Sequence, residues 1–291
     1  MDELELANRF DRRRPQLQAV AYRILGSLTE ADDAVQEAWL RLRRTDADQI
    51  DSLEAWLTTV VARICLNMLR SRRTRGEQPL DGFVPEPIID NPAVGTDPEH
   101  EALLADAVGI ALQVVLDTLG PAERLAFVLH DMFAVPFDEI AGMVDRSPDA
   151  TRQLASRARR RVREATPPPD PDMSRQRAVV DAYFAAAREG DLDALVAVLD
   201  PDVVLRAHRR DGDPLELHGP EQVARGAMSA RRFAPYVRPA LVNGAAGAVA
   251  FDGERPFAVL AFTVVGDRAV AIDIFNDPEL VGRLDIRGIT A

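Results

Sequence analysis

PFDEIAGMVDRSPDATRQLASRARRRVR, residues 136–163, decides how the rest of the chain is read. Phe137, Ile140, Ala141 and Val144 recur at i, i+3, i+4 and i+7, which makes one apolar helical face ending near Asp145 and Arg146. After a short turn, Ser147 offers a side-chain oxygen as N-cap. Pro148 suits the first helical position, because the N–H it lacks would have no partner there. On the second helix Thr151, Leu154, Ala155, Ala158 and Val162 share an arc of roughly 100° and are expected to pack inward. The opposite arc carries Arg152, Gln153, Ser156, Arg159, Arg160 and Arg163, with Arg157 at its edge, side chains suited to base edges and phosphates in a major groove. The spacing is that of a helix-turn-helix with a basic reading face. The plain alternative is a helical hairpin with solvated arginines.

A chain of 291 residues is long enough for two or three domains with their own cores. Its net charge of −12 runs against nucleic-acid binding until the charge is divided along the chain. Six arginines and no acid lie from Arg152 to Arg163, whereas residues 77–108 hold 8 acids and no Arg or Lys, so the chain carries opposite local fields. All 35 basic residues are Arg, and since genomic base composition also favours that choice, the arginine count alone argues little. The single Cys65 has no partner for a disulfide, so it reads as a small core residue in a reducing cytoplasm. The start, MDELELANRFDRRRP, has no apolar leader and no stretch approaches about 18 apolar residues; a soluble cytoplasmic protein with no membrane partner is expected.

Leu17, Val20, Ala21 and Ile24 make a first amphipathic helix that Gly26 can end in a left-handed conformation. Thr29 and Asp32 have capping-box spacing and open a second helix. Its apolar face is Ala31, Ala34, Val35, Ala38 and Leu42, which leaves Asp32, Asp33, Gln36 and Glu37 as an outward acidic stripe, by itself a common solvated face. Asp51 and Glu54 have N-cap and N3 spacing ahead of a long helix to about Arg73, with Leu57, Val60, Val61, Ile64 and Met68 as its core arc. Another arc of that helix carries Trp56, Thr59, Arg63, Asn67 and Arg70. An aromatic among cations and amides suits stacking on unpaired bases while gripping phosphates; the bland reading is a half-buried Trp flanked by snorkelling arginines.

Residues 77–108 hold five of the 20 prolines and no sustained period, and read as an extended acidic linker. Helical patterning returns at about Ala102, with Pro121 at a helix start, and ends near Ala165. Thr166 to Pro171 is a stiff proline-rich spacer. Beyond it, helices around Val179–Ala186 and Leu195–Leu199 precede β-rich runs at 203–207, 215–218, 237–242, 248–251, 257–265 and 269–275, with a further helix between Pro220 and Phe233. Helices followed by a meander of strands fit an α+β domain with a curved sheet.

The segments AYRILGSLTEADDAVQEAWLRL, AWLTTVVARICLNMLRSRR and FDEIAGMVDRSPDATRQLASRARRRVR resemble, in order and separation, regions 2 and 4 of an extracytoplasmic-function sigma factor. The resemblance covers about the first 165 residues. It implies that Asp32, Asp33, Gln36 and Glu37 dock on the clamp of core RNA polymerase. It also implies that Trp56, Arg63, Asn67 and Arg70 capture the −10 element, and that the helix of Arg152, Gln153, Ser156, Arg157, Arg160 and Arg163 reads the −35 element. The acidic linker would then thread toward the polymerase cleft. Phe83 to Pro87, FVPEP, resembles the WLPEP motif of one subgroup, with Phe and Val in place of Trp and Leu. That subgroup carries a SnoaL-like C-terminal domain in place of a separate anti-sigma factor, and residues 175–282 resemble it. Two departures stand out. Asp211-Gly212-Asp213-Pro214 replaces a glycine-rich DGGGK-like motif, with His208 where Asp is common, and Asn276-Asp277-Pro278-Glu279-Leu280 replaces an NPDKL-like one.

The expected architecture is therefore a multidomain chain of two all-α sigma domains and an α+β SnoaL-like cone domain. Its boundaries are 1–76 (region 2), 77–108 (linker), 109–165 (region 4), 166–174 (spacer) and 175–291 (regulatory domain). The rival reading is a polymerase-independent helix-turn-helix regulator whose cone binds an unidentified small molecule, with His208, His218, Tyr236 and Asp273 lining the pocket. Catalysis is not expected: no P-loop or triad pattern is present, and the spacing of His208 and His218 gives no metal site, so neither cofactor nor metal is anticipated.

Overall fold

The computed structural model describes residues 3–46, 50–74, 85–93, 109–165, 170–208, 215–286 and 288–289. The helix start near Ala102, Phe83 and Val84 of FVPEP, and Asp211 to Pro214 lie outside the described residues. The described residues divide into two compact units. One is formed by residues 3–74 and 113–165, the other by residues 85–93, 109–112 and 170–289.

The first unit is helical. α1 (Glu3–Leu25), α2 (Leu28–Leu42) and α3 (Leu53–Thr74) pack around Leu17, Val20, Ala21, Ile24, Leu42 and Leu57, all 3% exposed or less. Each such side chain contributes on the order of 1.5–3 kcal/mol by leaving water. α1 starts well before Leu17 and contains Pro15, because Leu6 and Phe10 are buried and Phe10 packs on Trp39 with ring centroids 5.0 Å apart. Gly26 ends α1 at φ +75°, its N–H bonded to the Tyr22 carbonyl at 2.7 Å. The caps that follow fall one or two positions away from the expected ones. Ser27, not Thr29, caps α2 by accepting from the Glu30 N–H at 3.3 Å, and Ser52, not Asp51, accepts from Ala55 N–H at 3.3 Å ahead of α3. On α3, Leu57, Val61 and Ile64 are buried as expected. Val60 and Met68 are only half-buried, and Cys65, Leu66 and Leu69 complete the core instead. Burial pushes the Cys65 thiol pKa up, which keeps it protonated and inert.

α4 (Gly109–Asp117) and α5 (Pro121–Phe127, continued by a π turn over Val128–Met132) precede α6 (Phe137–Val144) and α7 (Pro148–Ala165). Asp145 ends α6 at φ +56°, and the Ser147 side chain caps α7 by accepting from Ala150 N–H at 3.2 Å, as the sequence indicates.

The second unit is a curved seven-stranded sheet with helices on its concave side. α8 (Met173–Glu189) and α9 (Leu192–Ala197) come first, then β2 (Leu199–His208), β3 (Leu215–His218), α10 (Pro220–Ser229), a 3-10 turn (Arg231–Tyr236), β4 (Val237–Val242), β5 (Ala245–Asp252), β6 (Arg255–Val265), β7 (Arg268–Phe275) and α11 (Pro278–Arg283). With β1 (Ile89–Asp90), the strand order is β1-β4-β5-β6-β7-β2-β3; β2 runs parallel to β7 and all other neighbours are antiparallel. Gln176 ties α8 to the sheet: its Nε2 donates to the Asp170 carbonyl at 2.6 Å and its Oε1 accepts from Ala246 N–H at 2.9 Å.

Within residues 77–108, read from the sequence as an extended acidic linker, β1 docks a short segment on the sheet. Ile88 and Ile89 are buried, and Ile89 and Asp90 pair with Val242 and Leu241 of β4. Asn243 acts as the latch, its Oδ1 accepting from Ile88 N–H and its own N–H donating to the Ile88 carbonyl, both at 2.8 Å. The physical reason is local: two adjacent Ile residues meet an otherwise bare sheet edge, which would expose unpaired backbone groups without them. Ile110, at the start of α4, joins the same convex-face cluster with Val249, Phe251, Val259 and Phe275, so the boundary expected at 109 does not separate cores.

Candidate nucleic-acid interface

Three surfaces of the helical unit carry the residues singled out in the sequence. On α7, Thr151, Ala155 and Ala158 are buried and Leu154 and Val162 half-buried. This turns Arg152, Gln153, Ser156, Arg157, Arg160 and Arg163 outward, and all six are exposed. The face is held in orientation from its flank. Glu123 of α5 accepts from Arg157 Nε at 3.0 Å and Arg161 Nη1 at 3.2 Å, while Arg159 Nε reaches Asp131 at 2.5 Å. Glu123 and Asp131 are functional neighbours that the sequence did not reveal, since they lie 28 to 38 residues from their partners. Arg159, half-buried, belongs to this docking set and not to the open face.

On α3, Trp56, Arg63, Asn67 and Arg70 fall at i, i+7, i+11 and i+14 and so form a stripe about 21 Å long on one side of the helix. Arg63, Asn67 and Arg70 are exposed and Trp56 is half-buried. Arg63 is engaged: its Nη2 donates to the Gly142 carbonyl of α6 at 2.9 Å. That carbonyl is among the last four of its helix, which lack intrahelical partners, and it sits at the negative end of the dipole.

On α2, Asp32, Asp33 and Gln36 are exposed and Glu37 is half-buried. Gln18 Nε2 donates to Asp32 at 2.6 Å and Arg41 pairs with Glu37 at 2.9 Å, whereas Asp33 and Gln36 bond to no other described side chain. Leu40, 40% exposed, shares this stripe at i+7 from Asp33.

In the second unit a cavity of about 330 Å³ opens on the concave side of the sheet, walled by Leu205, Ala207, Leu260 and Ile274 on strands and by Tyr183 and Phe184 on α8. His208, His218, Tyr236 and Asp273, expected there, do not line it. Strand side chains alternate between faces. Leu205, Ala207, Ile272 and Ile274 point into the concave core, so His208 and Asp273 fall on the other face, where His208 stacks on Phe275 with ring centroids 4.9 Å apart. The two are nonetheless partners: His208 Nε2 lies 3.0 Å from Asp273 Oδ1, and Arg206 Nη1 is 3.5 Å from the same oxygen. His218 is exposed beside Glu216 at 3.4 Å, and Tyr236 is 52% exposed. Asp277 of the 276–280 motif is an N-cap, accepting from Glu279 and Leu280 N–H at 2.8 and 3.4 Å. Among the described residues no group of His, Cys, Asp and Glu could hold a metal ion, and no helix is long and apolar enough to cross a membrane.

Residues 9–75 match the sigma-70 region 2 family and residues 110–162 the sigma-70 region 4 family. The chain is 39% identical to the ECF RNA polymerase sigma factor SigJ of Mycobacterium tuberculosis, over 94% of this chain and 92% of that protein. It is 38% identical to the probable ECF RNA polymerase sigma factor SigI of the same species over 68% of each chain. The crystal structure of M. tuberculosis SigJ superposes with a TM-score of 0.77 at 36% identity, covering 94% of this chain and 97% of that one.

Proposed function

The chain belongs to the extracytoplasmic-function RNA polymerase sigma factors, alternative sigma factors that direct transcription initiation, and from that premise we propose how its residues divide the work. The exposed six-residue face of α7 reads the −35 element, with Arg152 and Gln153 on base edges and Arg163 on phosphate. Trp56, Arg63, Asn67 and Arg70 of α3 capture the −10 element. Asp33, Gln36 and Leu40, with Asp32 and Glu37, dock on core polymerase. The observation that carries this reading is the clean division of α7: every residue of its buried arc is apolar or Thr151, and the open arc presents four arginines, Gln153 and Ser156. A regulator working without polymerase has no use for the acidic stripe around Leu40.

Engagement of both promoter elements requires the Arg63–Gly142 contact to open. At about 3.4 Å per base pair the two elements lie tens of Å apart, whereas α3 and α6 touch here. Control in cis by the SnoaL-like domain, with no separate anti-sigma factor, fits the capture of Ile88 to Asp90 on its sheet.

The test is reconstituted transcription with core polymerase. Asp33→Arg abolishes polymerase pull-down. Arg152→Ala and Gln153→Ala each alter preference at a few −35 positions by about 1–3 kcal/mol, while Arg163→Ala weakens all sequences alike. Equal losses on every sequence from all three α7 variants would remove base readout from this helix.

A further inference from the structure

We infer that Phe137 and His130 are positioning residues that aim Arg152, and through it set sequence preference at the −35 element; this rests on the base-reading role proposed for Arg152 above and names what holds that side chain in place.

Arg152 is exposed near the start of α7. A long exposed side chain is free among many rotamers, so holding it in one before DNA arrives lowers the entropic cost of each base contact. Two contacts restrain its guanidinium. Asp149 pairs with Nη1 at 2.5 Å, an exposed i, i+3 pair of a kind that contributes little and that salt screens. The other contact is the Phe137 ring, which Arg152 Cζ overlies at 5.8 Å from the centroid, inside the roughly 6 Å over which an aromatic face attracts a cation.

The ring is itself held. His130 stacks on it with centroids 3.7 Å apart and planes inclined at 26°. The Val135 carbonyl can only accept, so His130 Nδ1, 3.0 Å away, carries the proton, and this bond fixes the orientation of the imidazole. His130 reaches its place because the backbone around it departs from α-helix. It sits in the π turn Val128–Met132, whose wider i→i+5 closure re-aims side chains and which is found most often at functional sites. Ala134 then takes φ +54°, a left-handed conformation uncommon for a residue with a Cβ, and Val135 N–H returns to the Leu129 carbonyl at 2.9 Å. Both rings are half-buried, so core packing does not account for this departure. The next residue of the turn, Asp131, grips Arg159 seven residues further along α7 than Arg152. One turn thus steadies the reading helix and aims its first arginine.

Transcription by the full-length chain with core polymerase on a promoter library randomised in both elements, scored base by base, tests this. Arg152→Ala removes preference at a few −35 positions. Phe137→Leu, which keeps apolar bulk and removes the ring, is expected to weaken preference about 2- to 5-fold at those positions and at no others, the range of an exposed cation–π contact. His130→Ala shifts the same positions in the same direction, and Phe137→Tyr, which keeps the ring, restores the wild-type profile. In the Arg152→Ala background, Phe137→Leu has no further effect on preference. If Arg152→Ala leaves the profile unchanged, the base-reading role falls and the positioning role with it. If Arg152→Ala alters the profile but the effect of Phe137→Leu is absent, spread evenly over all positions or undiminished without Arg152, base reading stands and the positioning role is overturned. Should Phe137→Leu lose its circular-dichroism signature, the same comparisons with His130→Ala decide between these outcomes.

Discussion

Arg63 donates to Gly142 across 79 residues of sequence, and that single hydrogen bond caps the helix leading into the reading helix. A guanidinium at a helix C-terminus satisfies an orphan carbonyl and meets the negative end of the dipole, together about 0.3–1 kcal/mol at an exposed site. Arg63→Met keeps the apolar stem and removes the cap. The amides of residues 142–146 should then exchange with solvent about 2- to 5-fold faster, while those of α1 stay unchanged. Unaltered exchange would show that the contact contributes nothing to the free protein. The outward placement of Arg63 was readable from its spacing with Asn67 and Arg70. Its partner was not, because periodicity reports which way a side chain points and not what lies opposite. The same holds for Glu123: the arginines it anchors were identified, and the acid that orients them was not.

At the scale of elements, α8 begins at an Asp whose ionisation can be followed. Asp172 accepts from Ser174 Oγ at 2.6 Å and from Ser174 and Arg175 N–H at 2.9 and 3.3 Å, and the Ser174 hydroxyl foremost, then these amides, hold its carboxyl below the usual range. A depressed folded-state pKa means that the stabilisation is complete above the unfolded value of about 3.9 and is lost as pH falls through the lower folded value. Wild type should therefore melt above Asp172→Asn near neutral pH, and the gap should close as the pH is lowered through about 4 and below. A gap constant from pH 7 to 2.5 would assign the cap to geometry and not to charge. Asp170, also depressed through the Asp172 N–H and Arg175, titrates in both proteins, and removing the Asp172 charge, which raises it, lowers it further in the variant. Helices and strands longer than about five residues were largely legible, because amphipathic periods survive in the sequence. The caps Ser27 and Ser52 were displaced by neighbours of equal capping propensity, a choice that only backbone geometry makes. β1 is two residues long and has no period at all, and the cavity was assigned to His208, His218 and Asp273, which the pleat turns outward, and to Tyr236, exposed on the 3-10 turn, whereas apolar residues form its walls.

For the whole chain, the consequence is that removing the C-terminal domain and releasing the linker from it are different operations. Ile88, Ile89 and Ile110 bury their side chains in the unit built by the C-terminal sheet. Deleting residues 170–291 strips that cover and leaves three Ile side chains in water, each worth on the order of 1.5–3 kcal/mol of burial, on a segment that then favours self-association. Asn243→Gly, by contrast, preserves the left-handed turn at φ +50°, which glycine accommodates, and removes the side-chain acceptor for Ile88 N–H while leaving the sheet in place. A second point of attachment is Arg177, whose Nη2 donates to the Pro92 carbonyl at 3.4 Å. If the acidic segment must leave the sheet to enter polymerase, the double variant Asn243→Gly with Arg177→Ala should raise transcript yield at limiting protein and speed exchange at Ile88. The deletion should lower the yield of monomeric protein and of transcript. Matched effects of the latch variant and the deletion, in either direction, would mean that the domain acts on initiation by some route other than holding Ile88 to Asp90.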